Sequence, residues 1–362
     1  PKGLLVWRSL TQWSGGLGIV FFTIAILPSL VGGSLKVFAA ESTGPIKSKL
    51  HPRLSTGAKW IWIVYLVLTV ACILSYKVCG MNWFDAFNYA MTSTATGGFG
   101  TESGSIATFH SPAEEYVCTI FCFLSGVNFT LLYTSVAGFK FKQLFRNSEF
   151  KFYTTMIAAF TVFIMLELIF QCNYEVEHAF RSSVFQVVSF ITTTGLYSDD
   201  AAKWPHVTWV VLAACMFFGG SSGSTSGGIK SIRGVMLLKV VKNEFRQILH
   251  PNAVLPMKID GYNVQMSKRV TLLGFIGLYL FLAVICAFTM IAAGIDSTNS
   301  MTITLSCLGN VGPTLGLEIG PTMSWNELPD FAKWISSFLM LVGRLELFSV
   351  LVLFTPSFWK EN

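Results

Sequence analysis

Long apolar runs alternate with short polar linkers along the whole chain. Residues 60–76, 116–139 and 270–295 carry no charge. A helix crossing the hydrocarbon of a bilayer needs about 20 such residues. Several runs of this length predict a polytopic helical membrane protein. A second pattern sits between the long runs. Shorter amphipathic stretches, residues 82–93, 176–191 and 297–308, each follow a long run and end in a cluster rich in threonine or glycine. An irregular acidic loop and a second long run then follow. At about a dozen residues, such stretches are too short to span and fit re-entrant pore helices.

This order repeats three times. The first full copy covers residues 59–77, 82–93, 94–98 and 116–139. Its successor covers 152–170, 176–191, 192–196 and 206–239. The last covers 270–293, 297–308, 309–312 and 331–354. A lone helix over 6–30 precedes them. The second helices align on Gly16, Gly126, Gly220 and Gly343. The lone helix is therefore expected to be the second helix of a unit whose first helix and pore loop are absent. The chain begins at Pro1, and the N-terminus of the natural protein is expected to precede it. The expected units are 1–58 (an incomplete repeat and a cytoplasmic linker), 59–149, 150–267 and 268–362. The fold class is all-α and polytopic, with helix–pore loop–helix units in pseudo-fourfold arrangement around a central ion pore.

The three clusters are Thr94-Ala95-Thr96-Gly97, Thr192-Thr193-Thr194-Gly195 and Gly309-Asn310-Val311-Gly312. A cation passing a narrow pore sheds water, and rings of backbone carbonyls replace its hydration shell. Small residues bring that backbone to the axis, and glycine reaches angles other residues resist. Irregular backbone at membrane depth is tolerated only where it is buried or lines a wet cavity. The clusters are therefore expected to form an ion selectivity filter, aligned on Gly97, Gly195 and Gly312, with the permeant cation at these residues. An ordinary Thr/Gly helix end accounts for one cluster but poorly for three in register.

The second helix over 206–239 contains Gly219-Gly220-Ser221-Ser222-Gly223-Ser224-Thr225-Ser226-Gly227-Gly228, with Lys230 just beyond. Each glycine costs a helix about 1 kcal/mol relative to alanine. The stretch is expected to break the helix halfway across the membrane and to form a flexible gating loop beneath the filter. A Gly/Ser linker outside the membrane is the competing reading. A phosphate-binding loop is disfavoured, because Ile229 separates Gly228 from Lys230-Ser231 and no strand precedes. Arg344 and Glu346 lie deep in the last apolar run, too far from either end to snorkel. Intramembrane charges mark functional sites by default. They are expected near the gate, with Arg344 bound to Glu346, to carbonyls of the 219–228 loop or to pore water.

Composition agrees with these spans. The chain is 52% hydrophobic and 12% charged, with a mean hydropathy of +0.59. Soluble domains carry about 25% charged residues. The net charge of +6 is distributed in a way that argues against nucleic acid as a partner. Basic linkers (Lys47, Lys49 and Arg53; Lys142 and Arg146; Lys239, Lys242 and Arg246) alternate with acidic ones (Glu102, Glu114 and Glu115; Asp199 and Asp200; Asp296 and Glu318). This positive-inside pattern puts the basic linkers in the cytoplasm, and an acidic outer mouth concentrates cations. The eight cysteines fall mostly in apolar runs without metal-ligand spacing, and the five histidines show none either. A membrane enzyme is thus disfavoured, and no cofactor is expected beyond the transported ion.

On the motifs 94–98, 192–195, Asn310-Val311-Gly312-Pro313, 219–230 and Gly343-Arg344-Leu345-Glu346, the chain resembles the TrkH family of potassium uptake membrane subunits, within the group that includes the KtrB and HKT transporters. The segment His250-Pro251-Asn252-Ala253-Val254 favours the TrkH branch. The resemblance covers essentially the whole chain. It implies K⁺ as the ion, a bacterial inner membrane location, a homodimer, and a cytoplasmic nucleotide-binding regulatory subunit of TrkA type. A Na⁺ or mixed monovalent cation pathway of the same fold is the alternative.

Overall fold

The structure, a computed structural model, describes residues 1–18, 54–139, 141–253, 255–316 and 325–360. Most of the linker expected over 31–58, and residues 19–30 of the lone helix, lie outside the described residues.

Helix α1 (Lys2–Gly16) is followed by α2 (Leu54–Val78), α3 (Trp83–Ala95), α4 (Pro112–Ser125) and α5 (Phe129–Ala137). Then come α6 (Phe141–Arg146), α7 (Ser148–Cys172), α8 (Val176–Ile191), α9 (His206–Phe217) and α10 (Ser231–Leu249). Helices α11 (Met266–Ala292), α12 (Ser297–Gly309), α13 (Asp330–Arg344) and α14 (Leu347–Leu351) complete the α-helices among the described residues.

Among the described residues, Gly57–Val78, Ser148–Cys172 and Met266–Ala292 are single helices long and apolar enough to cross a membrane. Their outward faces are bare hydrocarbon: Val67 is 57% exposed, Val284 68% and Phe288 70%. Water is a poor solvent for such contiguous apolar surface, and lipid chains are a good one. The protein is a multi-pass membrane protein.

The short helices α3, α8 and α12 form as the periodicity predicts. Asn82 caps α3 by accepting the Asp85 amide at 2.9 Å. Asp296 caps α12 by accepting from Thr298 at 2.9 Å and Asn299 at 3.2 Å. Such caps satisfy amides that the first helical turn leaves free. Each short helix packs against the first helix of its own unit and the second helix of the unit before it: α3 on α2 and α1, α8 on α7 and α4, α12 on α11 and α9. This handing-on from unit to unit generates the pseudo-fourfold ring.

The second helices differ from expectation. Only the one over 206–239 was expected to break, yet every one stops near its aligned glycine. Helix α1 ends at Gly16. Helices α4 and α5 meet at 98°, and α13 and the segment after it at 116°. Close packing is the reason. A Cβ on Gly126 would stand 2.7 Å from Thr192 Cγ2, one on Gly16 3.0 Å from Ala95 Cα, and one on Gly343 2.3 Å from the Leu308 carbonyl oxygen. These three second helices press their glycine onto the C-terminal end of a short helix, and the chain turns there; Gly220 instead meets Ser226 and the Gly126 carbonyl. Asn128 restarts α5 by capping Leu131 at 3.1 Å.

One small element departs from the all-α expectation. Strands β1 (Lys258–Ile259) and β2 (Tyr262–Asn263) pair antiparallel. Asp260 (φ 48°) and Gly261 (φ 88°) make the turn, the Asp-Gly pair that suits a two-residue hairpin. Asp260 also accepts from the amide and hydroxyl of Ser148 at 3.0 and 2.6 Å. The hairpin is thereby tied to the start of α7.

Candidate functional site

The three short helices end in the same backbone path. Thr96 (φ 53°), Thr193 (φ 55°) and Asn310 (φ 56°) turn left-handed. The next amide of each reaches back five residues: Gly97 to Thr92 at 2.8 Å, Thr194 to Ser189 at 2.8 Å and Val311 to Ser306 at 2.9 Å. A glycine with positive φ follows in each case: Gly98 (81°), Gly195 (76°) and Gly312 (106°). Backbone therefore aligns Gly98, not Gly97, with Gly195 and Gly312. Alignment of the three clusters in sequence takes Gly97 from the doublet Gly97-Gly98. Conformation chooses the second, because positive φ is where a side chain is strained.

These turns touch in sequence order. A Cβ on Gly98 would lie 2.0 Å from the Thr194 carbonyl oxygen, and one on Gly195 would lie 2.2 Å from the Val311 carbonyl oxygen. Gly98 and Gly195 thus each nest against the carbonyl preceding the next unit's glycine, while an added Cβ on Gly312 would meet nothing within 4 Å. On the other side of the first turn stands α1: Arg8 donates to the Gly100 carbonyl, and Thr92 donates to the Gln12 side chain at 2.7 Å.

Side chains behind the turns fix their shape. The Ser306 hydroxyl accepts the Gly312 amide at 3.0 Å and the Thr92 hydroxyl accepts the Phe99 amide at 3.1 Å. The Ser189 hydroxyl donates to the Leu196 carbonyl at 2.5 Å. Thr192 and Thr194 share a hydroxyl–hydroxyl bond of 2.7 Å. These hydroxyl bonds brace the turns from behind.

The 219–228 stretch lies directly beneath these turns and touches all of them. The Thr225 hydroxyl donates to the Thr94 carbonyl at 3.1 Å, and the Gly227 amide donates to the Thr193 hydroxyl at 2.6 Å. A Cβ on Gly227 would stand 2.8 Å from the Gly309 carbonyl oxygen. The stretch is less free than its composition suggests. Ser221 donates to Gly126 at 2.8 Å, and Phe129 donates to Gly223 at 3.1 Å. Asn128 donates its side-chain amide to Ser222 at 2.5 Å. Phe218 and Ile229 form a parallel bridge that closes the loop at its base. Lys230 donates to the Ser226 carbonyl, and the Ser231 hydroxyl to Gly219 at 2.8 Å.

Sequence reasoning missed Glu149. This buried carboxylate accepts the Ser222 amide at 2.6 Å and the Ile232 amide at 3.2 Å. It pins both flanks of the loop to α7. A buried amide left without its acceptor costs about 1–3 kcal/mol. Glu149→Ala is expected to destabilise the protein by about 3 kcal/mol, read as a lower thermal midpoint in detergent. An unchanged midpoint would show that the loop holds its place without this anchor.

Arg344 and Glu346 part company. Arg344 donates to Gly15 at 2.7 Å, to Gly16 at 3.4 Å and to Thr225 at 3.4 Å. Glu346 forms its ion pair with Arg233 at 2.5 Å, and the Arg233 guanidinium also covers the Phe275 ring at 3.9 Å. A cavity of about 210 Å³ joins these parts. Ala95, Thr96, Gly97, Thr193 and Asn310 line it from the turns, Thr225 and Gly227 from the loop, and Gln12, Gly15, Gly16 and Arg344 from the side. Backbone oxygens, small residues and one guanidinium around a small void suit cation contact and its control. Among the described residues, no group of three or more His, Cys, Asp or Glu side chains is arranged to hold a metal ion.

Comparison with known proteins agrees with this architecture. The chain is 37% identical over its whole length to the "Trk system potassium uptake protein TrkH" of Halomonas elongata and to that of Escherichia coli K12, covering 74% of each relative. A solved structure, that of the potassium transporter TrkH from Vibrio parahaemolyticus, superposes with a TM-score of 0.85 at 33% identity, over 99% of this chain and 74% of that one. The family described as TrkH, cation transport protein, matches residues 1–361. The chain belongs to the TrkH family of cation transport proteins.

Proposed function

We propose that this chain is the pore-forming membrane subunit of a Trk-type potassium uptake system. One observation carries the reading. Three left-handed turns from successive units meet edge to edge over a cavity that the 219–228 loop closes from below. Carbonyls fixed in that way can stand in for the water around K⁺. The residues assigned to this filter are 94–98, 192–195 and 309–312, with Gly98 taking the place that sequence gave to Gly97. The loop from Gly219 to Lys230 is assigned as the gate, and Arg344 as the charge beside it. Residues 1–58, 59–149, 150–267 and 268–362 act as the successive units of the ring.

The relatives are named as parts of a Trk system, which supports a multi-component assembly. Within it, this chain acts in a homodimer in the bacterial inner membrane, under a cytoplasmic nucleotide-binding subunit of TrkA type. The alternation of basic and acidic linkers supports a cytoplasmic position for the basic ones.

The test is Rb⁺ uptake by the complete natural polypeptide in a bacterium lacking its own potassium transport. Uptake is expected to be saturable and competed by K⁺ at far lower concentration than by Na⁺. Equal competition by the two ions would assign a mixed cation pathway instead. Absence of uptake from a strain with the protein in its membrane would reject conduction.

A further inference from the structure

The first helices carry one tyrosine each that reports on the break in the preceding second helix. Tyr65 of α2 donates its hydroxyl to the Trp13 carbonyl at 2.9 Å. Tyr153 of α7 donates to the Phe123 carbonyl at 3.1 Å. Trp13 and Phe123 hold the same place, three residues before Gly16 and Gly126. The rings stack as well, with centroids 5.2 Å apart and interplanar angles of 18° and 28°. Each tyrosine thus adds a donor to the carbonyl three residues before the glycine; the Phe123 carbonyl accepts the Gly126 amide as well, at 3.2 Å.

The third member of this set is Tyr279 of α11. Its ring meets Phe217, three residues before Gly220, at 5.3 Å. The rings stand at 88° rather than stacked. The Phe217 carbonyl instead accepts the Ile229 amide at 3.2 Å, across the bridge that closes the 219–228 loop. Tyr279 is 2% exposed, and its hydroxyl has no hydrogen-bond partner. A buried hydroxyl without a partner is costly. Its natural acceptor, by analogy with the other two units, is the one that the loop occupies.

We infer that Tyr279 is a positioning residue for the loop, whose hydroxyl takes over the Phe217 carbonyl when Ile229 moves away. The tyrosine then stabilises the displaced loop and is frustrated in the closed one. The Phe217 carbonyl then gains the Tyr279 bond as it loses the one from Ile229, so loop movement exchanges a hydrogen bond instead of losing it. This inference rests on the reading of 219–228 as a gate.

The test compares Tyr279→Phe with Tyr65→Phe and Tyr153→Phe in the complete polypeptide, reading Rb⁺ flux in proteoliposomes and thermal midpoint. Tyr279→Phe is expected to lower flux about fivefold, the worth of one net hydrogen bond in the displaced state. Its midpoint should stay level or rise, because the closed state loses an orphan hydroxyl. Tyr65→Phe and Tyr153→Phe should lower the midpoint, because each breaks an existing bond. In a variant shortened within 221–227, Tyr279→Phe should leave flux unchanged. If shortening raises flux while Tyr279→Phe leaves or increases flux in the intact protein, the role of Tyr279 is overturned and the gate stands. If shortening leaves flux unaltered, the gate itself fails, and the inference with it.

Discussion

Gly98→Ser is expected to cut the preference for Rb⁺ over Na⁺ by tenfold or more, on the order of 1.4 kcal/mol, while Gly97→Ser changes it by less than about threefold. The two glycines are neighbours, so only their backbones distinguish them. Gly98 has φ 81°, a conformation costing other residues roughly 1–2 kcal/mol. A Cβ there would also sit 2.0 Å from the Thr194 carbonyl oxygen. That oxygen belongs to the adjoining turn, and no flexible side chain lies between to absorb the shift. Serine must push one turn away from the next and deform both. At Gly97 the obstacle is Gln12 Oε1, 2.4 Å from an added Cβ. The glutamine tip can swing aside at the cost of its bond from Thr92, and Gln12 Cβ, 3.1 Å away, is in a tight contact that a small shift relieves. Gly195→Ser should resemble Gly98→Ser, because its Cβ would meet the Val311 carbonyl oxygen at 2.2 Å. Paired Rb⁺ and Na⁺ flux measurements on proteoliposomes, with membrane content controlled, decide the matter. Equal effects at positions 97 and 98 would remove the backbone register argued above.

The repeat was legible because each unit states it twice, once in uncharged runs and once in the short amphipathic stretch between them. The Thr/Gly clusters were legible because polar backbone-rich segments have few uses at membrane depth. What stayed hidden depends on neighbours distant in sequence. The bends at Gly126 and Gly343 leave little local trace, since one glycine within an apolar run normally continues the helix. The turn is imposed by the Leu308 carbonyl and Thr192 methyl lying where a side chain would be. Glu149 reads as an ordinary acid in a helix's first turn. Its partner Ser222 is 73 residues away, and no spacing rule connects them. Arg344 was recognisable as costly, and the loop carbonyl of Thr225 was among its foreseen partners. The Gly15 and Gly16 carbonyls were not foreseen, because they are freed only by the break that ends α1. The Asp-Gly hairpin at 260–261 was overlooked beside flanking strands of only two residues each.

Arg344→Gln is expected to raise cation flux about tenfold or more, because the side chain opposes permeation in two ways. The first is charge. Arg344 lines the cavity with the turns and the loop. A unit charge about 5 Å from a passing cation raises its energy by on the order of 3 kcal/mol at an effective dielectric of 20. The second is attachment. The guanidinium joins Gly15 and Gly16 at the end of α1 to Thr225 of the loop, so the loop cannot drop without breaking the tie. Arg344→Lys separates the two effects. Lysine keeps the charge but loses the planar fork that reaches several carbonyls at once. If charge dominates, Arg344→Lys should stay near the parent flux and Arg344→Gln should rise. If attachment dominates, both should rise, and shortening the loop should add little to either. Rb⁺ flux at several ionic strengths gives a further handle, but a modest one, because salt screens buried charges weakly. Lower flux in Arg344→Gln, in protein that keeps its thermal midpoint, would place the guanidinium on the side of conduction and end its assignment as a barrier.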